Sequence, residues 1–349
     1  MRKLRNLTVM VTAAGAQFTP GLFRCLRENG ERDIRIIGVD CDEDATIKQM
    51  VDVVYKVPKV SDAGYIDSLL AICHQEHVDV LLPSMSAELP LLIGSQDKFQ
   101  VDGTQVSVGS ADAVITCLSK LRLYEFMRAH DIPTPKYHAI RSLEEFDEAL
   151  EYIGYPNHAV CIKATQLSGS RGVRIIDPEK SRFDILFGEK PNSLYTTYDE
   201  LRAILSEKES DMPEMMAMEC LTGGEFSVDI LADHGKVLYM CGRRSETIVA
   251  SIPQSAVLFE DTRAYEIVTR LTEALGLDGN ADFDFRYDSE GVPVLMECNP
   301  RIAATMEVFK AGGLNLPYLR IKQLVNDPLP DIKARLGTKM KRRYVEMFC

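Results

Sequence analysis

The chain has no apolar run close to the ~20 residues that cross a bilayer, so no membrane span is expected. It has no excess of positive charge. Its 40 basic residues face 52 acidic ones, a net of −12, which argues against a general nucleic-acid binder. It has no CxxC pair. Nine cysteines are scattered, mostly in apolar company, which fits free thiols in a reducing cytoplasm better than a disulfide framework or a zinc site. Internal repeats and low-complexity tracts are also missing. The first six residues are basic, but Thr8, Thr12 and Gly15 break the apolar stretch after them, so no secretory signal is read there. What remains is an ordinary globular composition, 46% hydrophobic and 26% charged over 349 residues, enough for two or three packed units.

Residues 7–110 alternate short β-rich runs, at 7–11, 34–39, 53–57, 79–83 and 105–109, with helical patterns such as 65–77. That alternation predicts an open, mainly parallel sheet. The first βα turn, TAAGAQFTPG (12–21), carries two glycines, and Asp40 ends the second strand where a ribose-binding acid would stand. The complete GxGxxG fingerprint is missing, so the segment reads as a tight turn in a Rossmann-like domain.

Further on, Ser119 is placed to cap a helix over 120–129, and the prolines of 132–135 force extended chain. Ser142 with Glu145 reads as a capping box for a helix carrying Leu143, Phe146, Leu150 and Ile153 on one face. Strands follow at 158–163 and 172–176. Residues 177–213 are polar and read as an irregular insertion with an amphipathic piece near 198–205. Strands resume at 215–221, 226–231 and 236–241, and a helix covers 263–275. Strands at 281–287 and 292–298 are joined by DSEG, a hairpin-type loop. The last stretch, 329–349, is too short for a separate catalytic domain; its basic run at 339–344 suits an edge strand or a solvated patch.

Three stretches carry chemistry. VLMECNPRIAAT (294–305) leaves the core with Glu297, Asn299 and Arg301 at alternate positions, so a strand would turn all three to one face. A carboxylate beside an amide suits a hard cation such as Mg²⁺, and the arginine suits a carboxylate or phosphate. A strand with one solvated face would alternate in the same way. VCIKATQLSGSRGV (160–173) ends an apolar strand on Lys163 and follows it with a small glycine-bearing loop. Such a loop can close backbone N–H groups over phosphates, although it is not a Walker A loop; a hairpin with an exposed lysine is the plain alternative. MECLTGGEFSVD (218–229) sets Glu219 and Glu225 around a Gly-Gly bend, and Asp284 lies on the strand before the first stretch. If Asp284 and Glu297 face each other, their repulsion calls for a cation between them.

In order along the chain, Lys120, Lys163 with Ser168, Gly169, Ser170, Arg171 and Gly172, then Glu219 to Leu221 with Glu225, then Asp284, then Glu297, Asn299 and Arg301 resemble the motifs of the ATP-grasp superfamily. The likeness is closest to its carbamoyl-phosphate-synthase-like and amino-acid-ligase branches and covers residues 1 to about 310. It implies an α/β and α+β architecture: an N-terminal Rossmann-like parallel sheet (1–112), an ATP-grasp small subdomain with a lid loop (113–222) and a large C-terminal subdomain (223–349). It implies that Lys120 and Lys163 hold the phosphates of ATP under a Ser168–Gly172 lid, that the 219–221 linker contacts adenine, and that Glu225 contacts the ribose. Asp284, Glu297 and Asn299 would bind two Mg²⁺ ions, with Mn²⁺ as a substitute, and Arg301, assisted by Arg243 or Arg244, would hold the substrate carboxylate or its acyl phosphate.

The function so implied is a cytoplasmic ATP-dependent carboxylate–amine ligase, acting on an amino acid or small peptide through an acyl phosphate. Its partners are small-molecule acids and amines, with no nucleic acid or membrane, and a homodimer is compatible. The alternatives are a single-unit carbamoyl-phosphate-synthase-like enzyme using ammonia, and an ATP-binding protein without turnover. The chain has one ATP-grasp unit, no biotin-carrier segment, and no lysine near 245–248 of the kind that biotin carboxylases use for bicarbonate. Glu88 and the loop after Gly15 are candidates for selecting the substrates.

Overall fold

The computed structural model describes residues 4–42, 46–167, 171–190, 193–249, 252–343 and 345–348. The first sheet contains β1 (Leu7–Val11), β2 (Ile34–Asp40), β3 (Val53–Lys56), β4 (Val80–Leu82) and β5 (Gln105–Val106), in the order β3-β2-β1-β4-β5. Every pairing in it is parallel, as the strand–helix alternation predicts. The connecting helices are α1 (Thr19–Arg27), α2 (Tyr65–Glu76), α3 (Leu89–Ile93), α4 (Gln96–Val101) and α5 (Ala111–Leu118). Period-two alternation sends Val9 and Val11 into one core with Leu22 and Leu26 of α1, and Met10 into the opposite core with Leu69 and Cys73 of α2. Strand order reverses between β1 and β4, the kind of place where ligands enter such sheets.

The second sheet contains β6 (Tyr137–Ile140), β7 (Val160–Ala164), β8 (Val173–Ile176), β9 (Tyr195–Thr196) and β10 (Met215–Glu219), in the order β6-β10-β7-β8-β9. Its helices are α6 (Lys120–Ala129), α7 (Leu143–Ile153), α8 (Arg182–Gly188) and α9 (Tyr198–Ser206). The Ser119 side chain caps α6. The Ser142 side chain caps α7 by accepting from the Glu145 amide, while the Glu145 carboxylate reaches past the box to the Arg141 amide. The 177–213 segment is more regular than its polar composition suggests. Ser181 and Thr197 each cap a short helix, and Leu201 of α9 joins the core built on α7.

The third sheet contains β11 (Glu225–Asp233), β12 (Lys236–Val249), β13 (Ile252–Phe259), β14 (Gly279–Tyr287), β15 (Pro293–Asn299) and β16 (Lys339–Lys341), in the order β15-β14-β11-β12-β13-β16. Helices α10 (Thr262–Leu275), α11 (Glu307–Ala311) and α12 (Leu316–Leu324) accompany it. The start of the basic C-terminal run is therefore an edge strand, paired antiparallel to β13.

The chain divides into two compact units. One contains Met1–Leu118, Glu225–Phe285 and Glu297–Cys349; the other contains Ser119–Gly224 and Arg286–Met296. Among the described residues no helix is long and apolar enough to cross a membrane.

Candidate functional site

In the first unit, one face of the third sheet is lined with acids. Phe226 of β11 and Phe285 of β14 stack at 5.2 Å, and the alternate residues Ser227, Asp229, Asp282 and Asp284 meet Arg243 of β12 and the end of β15. The buried Arg243 donates from Nε to Asp229 at 3.0 Å and from Nη2 to Asp282 at 2.9 Å. Ser227 donates to Asp284 Oδ1 at 2.5 Å. Asn299 Nδ2 donates to Asp284 Oδ2 and to Glu297 Oε1, each at 3.4 Å. The structure thus brings Asp284 of β14 together with Glu297 and Asn299 of β15, the facing that pairing of these two strands allows.

Three aspartates, Asp229, Asp282 and Asp284, surround one buried guanidinium. Burial, against the pull of Arg243, pushes the Asp229 carboxyl up to about 8. Burial, followed by repulsion from Asp282 and Glu297, raises Asp284 well above the usual carboxylate range. Burial opposes the charge of Arg243, and the surrounding aspartates more than offset it. Two carboxylates supply hard oxygen donors that fit a divalent cation such as Mg²⁺, and the Asn299 amide oxygen would join them if the side-chain amide turned over.

Arg243 is spent on the two aspartates. Its partner Arg244 sits over the Phe259 ring at 5.5 Å. Arg301 is half-buried just beyond the acids, with its amide on Asn299 O at 2.8 Å and Nη1 on Ile302 O at 3.0 Å. Glu225 is exposed at the start of β11.

In the second unit, Val160 and Ile162 of β7 pack with Phe146 and Leu150 of α7, so Lys163 turns to the opposite face, where it is 9% exposed. Lys120 opens α6 and is tied to the chain leaving β7. Its amide donates to Thr165 O at 3.0 Å and its Nζ to Leu167 O at 3.2 Å. Gly172 returns the loop to β8 at φ +68, and a Cβ there would stand 2.7 Å from that of Ala164, so only glycine fits. Arg171 is exposed. Ser168, Gly169 and Ser170 lie outside the described residues. Glu219 accepts from the Lys136 amide at 2.9 Å. Leu221 is buried, and its carbonyl accepts from Arg286 at 3.2 Å.

Motif reading overlooked Ser227, Asp229 and Asp282 as partners of this cluster. Their signal was the same period of two that singled out Glu297 and Asn299, running through SVD and DFD.

A family model described as ATP-grasp in the biosynthetic pathway with Ter operon matches residues 211–346, and one described as PylC-like, N-terminal domain, matches residues 9–107. The fold superposes on an ADP complex of N5-carboxyaminoimidazole ribonucleotide synthetase with a TM-score of 0.70, covering 97% of this chain and 82% of that one at 16% identity. Residues 211–346 thus match an ATP-grasp model, and the chain as a whole has the ATP-grasp fold. Another similar fold is that of L-amino acid ligase from Bacillus licheniformis, with a TM-score of 0.62, covering 93% of this chain and 75% of that one at 15% identity. Among curated sequences, the carbamoyl phosphate synthase large chain of Methanobrevibacter smithii is 25% identical over 315 residues, 89% of this chain and 28% of that protein. The chain spans about a quarter of the length of the curated large chains it matches.

Proposed function

We propose that this ATP-grasp chain is an ATP-dependent carboxylate–amine ligase acting on an amino acid or small peptide. The observation that supports the reading is the convergence of Asp284, Glu297 and Asn299, with the Asn299 side-chain nitrogen 3.4 Å from an oxygen of each carboxylate. Carboxylates held this close repel one another, and a cation at the site relieves that repulsion. Asp284, Glu297 and Asn299 are the residues that would hold it, as two Mg²⁺ ions or Mn²⁺ in their place. When bound, the cations offset repulsion between the phosphates of ATP and an attacking carboxylate.

The rest of the work falls to the chain's own groups. Lys163 and Lys120 contribute positive charge for phosphates at the end of β7, and Arg301 presents a planar fork for the acid substrate. A carboxylate oxygen attacks the γ-phosphorus and ADP leaves. The amine then attacks the acyl carbonyl, releases phosphate and leaves an amide. The likeness to carbamoyl phosphate synthase large chains over 89% of this chain supports a second reading with bicarbonate and ammonia as substrates.

Phosphate release, measured with ATP and Mg²⁺ over pairs of amino acids and over bicarbonate with ammonia, tests both. Release that requires one amino-acid pair supports the ligase reading. Release with bicarbonate and ammonia alone supports the second, and ATP binding without release under any pair contradicts both.

A further inference from the structure

The carboxyl ends of β1, β2, β3 and β4 enclose a cavity of about 660 Å³, within the size range of small-molecule sites. It opens where ligands enter parallel sheets, beside the reversal of strand order between β1 and β4. Its apolar wall includes Pro58, Val60, Tyr65 and Met85. Its polar side has two carboxylates, Asp40 and Asp42, against one cation, Lys59.

The walls are built in advance. Tyr65 is 3% exposed and donates to Glu88 Oε2 at 2.6 Å. Glu88 is fully buried and takes the Thr12 hydroxyl at 2.7 Å and the Ser84 and Met85 amides at 3.0 and 2.8 Å. Asp40 is fixed by the Gly15 amide at 2.8 Å and the Asp42 amide at 3.0 Å. Ala13, at the rim, is held at φ +45, a conformation that costs a non-glycine residue energy and persists only where the surroundings enforce it. A rigid cavity of this kind spends little of a ligand's binding energy on ordering the protein.

The chemistry of the walls selects the occupant. Ribose recognition would rest on Asp40 alone, whose two oxygens already accept the Gly15 and Asp42 amides, whereas an ammonium group can use their remaining lone pairs together with the Asp42 carboxylate. A bare metal ion would leave the apolar wall uncovered. An anion would meet two carboxylates. We propose that this cavity binds a cationic amine on an aliphatic body, with the ammonium group at Asp40 and Asp42 and the methylenes against Pro58, Val60 and Met85. Binding of such a molecule is independent of the ligase reading; its use as a substrate rests on that reading.

Calorimetric titration of the full chain without nucleotide tests the proposal, with 1,5-diaminopentane and L-lysine as probes and L-norleucine, L-glutamate and MgCl₂ as controls. The two cationic amines should bind saturably, one per chain. Asp42→Asn, at an exposed side chain, should weaken them about tenfold, about 1.4 kcal/mol. Ala16→Phe, which fills the cavity, should abolish binding, and if that variant does not fold, Asp42→Asn decides alone. Absent amine binding, equal binding of norleucine, saturable Mg²⁺ binding lost in Asp42→Asn, or unchanged affinity in Asp42→Asn would each overturn the proposal. Phosphate release is scored separately. Amine binding without turnover counts against the ligase alone, and turnover without amine binding counts against the cavity alone.

Discussion

Arg243 donates to Asp282 at 2.9 Å, two residues before Asp284 on the same strand. The same guanidinium holds Asp229 at 3.0 Å. It therefore acts beneath the proposed cation site as a fastening between β11, β12 and β14, with two of its nitrogens committed to carboxylates.

Removing it should leave the buried Asp282 carboxylate, and above about pH 8 that of Asp229 as well, without this partner. Arg243→Met is expected to lower stability by about 3–5 kcal/mol, as broken buried ion pairs do. Adding Asp229→Asn and Asp282→Asn should restore most of the loss, because the uncompensated charges go with the arginine. Urea unfolding of the single and triple variants measures this, and equal stabilities for the two would contradict the fastening role.

Asp284→Asn and Glu297→Gln should have the opposite profile. Each should lower turnover by about 10²–10³-fold, in the range seen when preorganised charge stabilisation is removed. Stability without Mg²⁺ should be unchanged or higher, since one of two repelling carboxylates is gone. Turnover assays and thermal melts on the same preparations separate the two effects, and near-normal turnover at saturating Mg²⁺ would remove the residue from the cation site.

The raised carboxyl of Asp229 gives a pH dependence with a definite sign. Folding lifts it from 3.8 to about 8, so between those values the folded chain keeps a proton that the unfolded chain has released. Its contribution to stability is complete below about pH 4 and is lost as the pH rises through 8. The raised value of Asp284 acts in the same direction. Metal-free protein should therefore melt lower at pH 8.5 than at pH 6, and Mg²⁺ should stabilise it more at pH 8.5, where fewer protons compete for the site. Melting curves at both pH values, with and without Mg²⁺, check this; a flat metal-free profile would contradict it.

Much of this was legible in the sequence, for identifiable reasons. The parallel sheet followed from strand–helix alternation. The convergence of Asp284, Glu297 and Asn299 followed from the strand period and a hairpin. The Arg243 fastening was not legible, because it joins three strands and depends on cross-strand neighbours that alternation within one strand does not supply. Within 177–213 the amphipathic piece near 198–205 is α9, whereas α8 is not legible because its seven residues bury no side chain in a core and so show no core-facing period. Strand β13 is not legible because Pro253 and Gln254 interrupt its apolar run.

Arg301→Lys keeps the charge and loses the planar fork. ATP affinity should stay within a few-fold. The acid substrate should show a raised KM or lowered turnover of about tenfold, ~1.4 kcal/mol. Steady-state kinetics on the pair found by the phosphate-release screen check this. A collapse of ATP affinity with unchanged acid kinetics would make Arg301 a phosphate ligand.

The central claim is the acyl phosphate, and isotope transfer tests it most directly. The acid substrate is supplied with ¹⁸O in both carboxyl oxygens, and the phosphate released with each amide is analysed by mass spectrometry. The account predicts one ¹⁸O in every phosphate and one retained in the amide. Amide formation accompanied by unlabelled phosphate would contradict it.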